Sequence, residues 1–171
     1  MAARPPLRVG IISAAWGARA HLPAWRSLDG IEVTAICTSR PETAARAAQD
    51  FGVARAFHDF RAMAADPDID IVDCGTRPPL RYAMVMAALS AGKHVYTGIP
   101  FAKDLADARA MTAARRAAGT VGVVDAAAPC VGATDAGRGE LVQDRRRRVS
   151  LFGVGIERAS RSARTGVSDG A

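Results

Sequence analysis

The feature that most constrains this chain is an alternation. Apolar runs of strand type recur at LRVGIIS (Leu7–Ser13), IEVTAICTS (Ile31–Ser39), DIDIVDCGT (Asp68–Thr76), KHVYTG (Lys93–Gly98) and TVGVVD (Thr120–Asp125). Between them lie helix-forming stretches that stop at glycine. One runs from about Gly17 to Leu28 and stops at Gly30; another begins at SRPE and closes at Gly52. A third runs from about Pro79 to Ala91 before Gly92, and a fourth is Leu105–Ala118 before Gly119. ARAFHDF supplies a further short strand and turn, and RAMAADP a short helix ended near Pro67. Runs that are apolar throughout belong to strands buried on both faces. Such runs joined by helices through short links make a parallel sheet covered on both sides. The expected class is therefore α/β, a doubly wound parallel sheet with strand order 3-2-1-4-5. At the second helix, Ser39 stands three residues before Glu42 with Pro41 between them, the spacing of a capping box.

Length and composition narrow the alternatives. A chain of 171 residues, 49% apolar and 23% charged, suits one globular domain of ordinary size. The formal charge of +6 has no recognition motif beside it, and only two Trp and two Tyr are available for stacking, so nucleic acid is not an expected partner. The block Arg145–Arg148 reads as a solvated charge run. Cys37, Cys74 and Cys130 show no CxxC spacing, and the first two sit inside apolar runs as small buried hydrophobes. That pattern argues for a reducing compartment. No apolar stretch has the length of a signal peptide core or a membrane span, which points to the cytoplasm. His58 and His94 have no partner at metal-ligand spacing, so no metal is assigned.

After Asp125 the character changes. Residues 126–171 carry scattered Gly and Arg with no sustained period, and are expected to form an irregular, poorly ordered basic extension. Within it, Leu141–Arg148 is compatible with a helix and Val149–Ile156 with a strand; the last fifteen residues read as disordered.

The turn after the first strand is Ser13-Ala14-Ala15-Trp16-Gly17-Ala18. A dinucleotide-binding turn reads GxGxxG or GxGxxA, with small residues that let the backbone approach a pyrophosphate. Here two glycine positions are Ser and Ala: small size is kept, while freedom to take positive φ is largely lost. Taken alone, this is equally a tight β–α link with no ligand. The wider text adds to it. LRVGIISAAWGARAHLPAW, DPDIDIVDCGTRPPL and AALSAGKHVYTGIPFAKDLADARAM resemble the Gfo/Idh/MocA (glucose–fructose oxidoreductase / inositol dehydrogenase) family, from about Leu7 to Asp125. The resemblance implies a Rossmann-type NAD(P)-binding domain over residues 1–125, followed in the family by an α/β catalytic domain. Most members are NAD(P)-dependent oxidoreductases of sugars, cyclitols and related hydroxyl compounds.

The resemblance also distributes roles. Ser13, Ala15, Trp16 and Gly17 would hold the pyrophosphate turn, with Trp16 as a wall of the site. In the loop Gly75-Thr76-Arg77-Pro78, Thr76 would hydrogen-bond the nicotinamide side and Pro78 would stiffen the turn; Arg77 reaches the pyrophosphate or faces solvent. At the end of the second strand Thr38, Ser39 and Arg40 offer two hydroxyls and a guanidinium and no carboxylate. This favours NADP over NAD, since a 2′-phosphate suits Arg. The competing account has Ser39 only capping its helix and Arg40 solvated. Where the family reads E-K-P this chain has Gly98-Ile99-Pro100, so Gly98 and Pro100 keep the shape of the loop while Ile99 cannot relay a proton. His21 is expected to be structural. No catalytic acid or base is identified. The family's catalytic text is not found after Asp125, and the expectation is a truncated or frame-shifted fragment, inactive alone, with a small-molecule substrate only if a second domain exists. A non-catalytic dinucleotide- or sugar-responsive module is the alternative, and a non-functional remnant a third.

Overall fold

The computed structural model describes residues 5–125, 148–151 and 154–157. Six strands, β1 (Leu7–Ile12), β2 (Ile31–Cys37), β3 (Arg55–Phe57), β4 (Ile71–Cys74), β5 (His94–Gly98) and β6 (Gly122–Asp125), form one sheet in the order β3-β2-β1-β4-β5-β6. All five pairings are parallel, so the expected order holds and β6 extends it at the edge. The register of β1 on β2 slips between Val9 and Gly10.

The central strands bury both faces, as their largely apolar text requires: β4 is buried throughout and β1 from Val9 to Ile12. On one face Val9, Ile11, Val33, Ile36 and Tyr96 pack with Trp25 of α1 (Leu22–Arg26) and with Ala47 and Ala48 of α2 (Pro41–Phe51). On the other, Ile12, Ala35, Val72 and Val95 meet Met63 of α3 (Phe60–Ala65), Val85 and Leu89 of α4 (Pro78–Ser90) and Met111 of α5 (Leu105–Ala118). A Cβ on Gly10 would stand 2.9 Å from the Met63 sulfur, so glycine there lets α3 close on β1. Cys37 and Cys74 are buried free thiols, and burial pushes Cys37 up to about 12. Cys130 lies outside the described residues.

Helix ends follow the glycine punctuation. Gly52 (φ 59°) and Gly119 (φ 64°) close α2 and α5 in the left-handed region, where a side chain would be strained. Starts are less faithful to the text. The Ser39 capping box does not form: Arg40 is the N-cap of α2, extended and without a side-chain cap. Pro41 at the first helical position drives the residue before it out of helical conformation, which leaves Ser39 one place too early. The hydroxyls of Thr38 and Thr43 instead donate to the Arg40 carbonyl at 3.1 and 3.0 Å. The true side-chain caps are Asp59, accepting from the Arg61 amide (2.9 Å), and Asp104, accepting from the Asp107 amide (2.8 Å). The first helix also departs from expectation. It opens as a π-helical turn, Gly17–His21, before α1 proper.

Val149–Ile156, expected as one strand, is two: β7 (Arg148–Leu151) and β8 (Val154–Glu157) pair antiparallel. The helix expected over Leu141–Arg148 lies outside the described residues apart from Arg148, which is in β7. The disorder expected at the end likewise falls on residues outside the description, Glu157 of β8 excepted.

Candidate functional site

The strand order reverses between β1 and β4, and in doubly wound sheets a crevice opens there, outside the carboxyl ends of the strands. Here it is a cleft of about 490 Å³, lined by Ser13, Ala15 and Trp16 after β1, the stretch Gly75–Pro78 after β4, Gly98 at the end of β5 with Ile99 beyond it, and His21, Leu80 and Arg81.

The turn after β1 does what its composition argued against. Ser13 adopts φ 139°, a conformation side chains rarely take, and its hydroxyl accepts the Ala15 amide at 3.2 Å. The glycine-like backbone is therefore reached without glycine, at a strain cost of about 1 kcal/mol or more. Behind the turn, two loops touch through bare backbone: a Cβ on Gly75 would stand 2.7 Å from the Gly17 Cα. This contact lets the loops after β1 and β4 form one continuous floor.

Arg81 holds the cleft together from inside α4. It is buried, and its guanidinium donates to the carbonyls of Thr76, Gly98 (2.5 Å), Pro100 and Phe101 (3.4 Å). The loop after β4 and the loop after β5, which contains a cis Ile99–Pro100 peptide, are thus tied to one cation. Burial lowers the Arg81 pKa, and the nearby carboxylate of Asp73 partly offsets this.

A polar cluster lies beneath. His21 Nδ1 contacts both carboxylate oxygens of Asp73, at 3.0 and 2.9 Å, and Trp25 Nε1 donates to the same carboxylate at 2.8 Å. Tyr96 stands edge-on to both rings, each at 5.2 Å, and its hydroxyl donates to Asp125 at 2.8 Å. Burial and then the Asp125 hydrogen bond push the Tyr96 pKa far upward, so the phenol stays protonated.

Of the residues proposed from sequence, Ser13, Ala15, Trp16, Thr76, Pro78 and Gly98 converge on this cleft. Gly17 lies buried under it, and Pro100 contributes its carbonyl to Arg81. Thr38, Ser39 and Arg40 stand apart, at the carboxyl end of β2; Ser39 and Arg40 are exposed, and the Thr38 hydroxyl is 2.6 Å from that of Thr43. Thr76 spends its hydroxyl on the Met84 sulfur at 3.3 Å. Sequence reasoning missed Arg81 and Asp73. Both carried a signal: a lone charge inside the apolar runs PPLRYAMVMAALS and IVDC. Among the described residues no group of His, Cys, Asp and Glu is placed to hold a metal, and no helix is long and apolar enough to cross a membrane.

The residues present fit a nicotinamide dinucleotide: a floor with little side chain in the way, cationic groups on the walls, and no carboxylate among the cleft's lining residues. Comparison with known proteins agrees. The chain is 40% identical over 109 residues to D-apiose dehydrogenase of Paraburkholderia graminis, covering 64% of this chain and 29% of that protein. An oxidoreductase from Agrobacterium radiobacter, solved with NAD+, L-tartaric acid and magnesium, superposes with a TM-score of 0.66 at 29% identity, covering 71% of this chain and 35% of that one. A 3-ketoreductase from Actinomadura kijaniata, solved with TDP-benzene and NADP, gives 0.69 at 27% identity, covering 81% of this chain and 44% of its own. This chain therefore spans less than half the length of each of these relatives. The model of the Gfo/Idh/MocA oxidoreductase family, NAD-binding Rossmann fold, matches residues 7–125, and the chain belongs to that family as its nicotinamide-dinucleotide-binding domain.

Proposed function

We propose that this chain is the NADP(H)-binding part of an oxidoreductase acting on sugar- or cyclitol-like hydroxyl compounds in the cytoplasm. The observation that carries the reading is the cleft at the β1/β4 reversal, where Ser13, Ala15, Trp16, Thr76, Pro78 and Gly98 converge above the Gly17–Gly75 contact. A bound dinucleotide supplies hydride exchange there. The chain's own residues shape the floor, hold the loops through Arg81 and Pro100, and wall the nicotinamide side with Trp16. Preference for NADP rests on Thr38, Ser39 and Arg40. Arg40 is exposed at the start of α2, where it is free to meet a 2′-phosphate.

Residues 1–125 are the cofactor domain in this reading, and residues 126–171 an extension beyond the matched region. By itself the chain is expected to bind dinucleotide and not turn over. Ile99 offers no ionisable group, and it is exposed with Trp16 and Leu80 around the cleft, so it cannot relay a proton to or from a substrate hydroxyl. The same isoleucine favours a second reading, a non-catalytic dinucleotide- or sugar-responsive module.

Calorimetry of the 171-residue chain with NADP+ and NAD+ tests the first claim. Arg40→Ala should weaken NADP+ about ten- to a hundredfold and NAD+ little; equal weakening refutes the NADP assignment. Reduced-nicotinamide absorbance with a panel of sugars, inositols and their keto forms tests the second, and steady turnover would refute it.

A further inference from the structure

The cluster under the cleft is not explained by cofactor shape alone. Asp73 is fully buried, and a buried carboxylate is costly unless a cation or strong donors meet it. Its two side-chain partners are Trp25, which is neutral, and His21. A charged His21 neutralises Asp73, which binds Nδ1, so the Nε2 edge is the one left to the cleft that His21 lines.

The groups facing His21 come from every neighbouring element: Asp73 of β4, Asp125 of β6, Arg81 of α4 and the Tyr96 phenol of β5, with Trp16 6.5 Å away, edge-on. The cleft itself is lined by no carboxylate. Its cationic residues are His21, Arg77 and Arg81, and Arg81 is committed to carbonyls. Ile99 adds no charge. His21 and Arg77 are thus the cations left to meet a ligand, and a dinucleotide is anionic.

We propose that His21 is a binding residue for the dinucleotide, engaging it as an imidazolium, so that binding takes up a proton. This rests on the cofactor reading above. Burial lowers the His21 pKa; the hydrogen bond and charge of Asp73, with the charge of Asp125, raise it more, and the net lies above the ordinary value. An anion at Nε2 raises it again. Affinity is highest while His21 is protonated and falls as pH climbs through its midpoint.

The test uses NAD+ and the full chain, because the 2′-phosphate of NADP+ itself titrates near pH 6. The ring protons of His21 are followed by NMR with and without NAD+, and calorimetry is run from pH 6 to 9 in buffers of different ionisation heat. The expected result is an upward shift of the His21 midpoint on binding, net proton uptake near that midpoint, and roughly a tenfold loss of affinity across the range. His21→Gln should flatten the profile, and Asp73→Asn, which keeps the imidazole and removes its counter-charge, should move the loss to lower pH. An unmoved His21 midpoint with NAD+ bound overturns the proposal and leaves the cofactor reading intact. No NAD+ binding at any pH overturns both. Should His21→Gln fail to fold, the wild-type NMR titration decides alone.

Discussion

The two edges of the sheet use the same residue types to opposite ends. At the amino edge the arginines at the starts of β1 and β3, Arg8 and Arg55, meet acid. Arg8, opening β1, is bonded to Asp70 at 3.0 and 3.1 Å and to Asp68 at 2.5 Å, and Arg55 is paired with Asp66. Lys93 donates to the carbonyls of Asp66 and Ile69, both at 2.8 Å. At the carboxyl edge the central arginine meets carbonyls, and the carboxylate Asp73 is sealed beneath His21. One edge is neutralised and serves to close the fold. The other keeps unspent positive charge facing outward, which is what an anionic ligand needs. The pairing of Arg8 and Arg55 with acid, against the exposed Arg77 lining the cleft, separates the structural edge from the binding one.

The strongest way to break this contrast is at Arg81. Arg81→Met leaves up to four carbonyls in two loops without their donor, for a loss of about 3 kcal/mol in urea unfolding together with loss of dinucleotide binding. Arg8→Ala should cost less and leave binding by calorimetry unchanged; a matching loss of affinity would erase the distinction between the edges. Next in size is Gly75→Ala. Its Cβ collides with the Gly17 backbone, which has no flexible end to yield, so about 2–3 kcal/mol is expected by the same unfolding assay, with weakened binding.

A pH series of thermal stability sharpens the comparison, because the edges titrate in opposite senses. The Arg8 hydrogen bond, against some burial, lowers the Asp70 pKa; its contribution is present above the ordinary carboxylate value near 4 and lost as pH falls through the depressed one. The His21 pKa is raised, so its contribution is full below about 6.5 and lost as pH rises through the folded value. Asp70→Asn should shrink only the acid limb, to which Asp66 beside Arg55 also contributes, and His21→Gln only the neutral-to-alkaline limb. The smallest effect is at Ser13. Ser13→Gly relieves a positive φ and forfeits the hydroxyl that accepts the Ala15 amide, for a net gain of about 0.5 kcal/mol in chemical unfolding.

Strands and their order were legible because they rest on local patterns: largely apolar runs for β1, β2 and β4, glycine after each major helix, and a helix between successive strands that carries the chain back to a parallel start. The loops of the cleft were legible through the resemblance. The Ser39 cap failed because one residue, Pro41, shifted the helix start by a place. Arg81 was illegible as a clamp because its partners are backbone carbonyls up to twenty residues away, which carry no side-chain signature. His21 was read as structural, and its bond to Asp73 is that; its position in the cleft wall came from the π-helical turn, which no composition rule announces.

The two tryptophans divide along the same lines, and this has an optical consequence. Trp16 is 68% exposed at the cleft, whereas Trp25 is 1% exposed and bonded to Asp73. Indole emission shifts to the blue on burial, so the two contribute at different wavelengths without any label. A reduced nicotinamide in the cleft absorbs where indole emits and would draw energy from Trp16 first. Trp25 instead shares the Asp73 carboxylate with His21, so a change in the charge on that histidine should register as a shift in the emission of the core tryptophan.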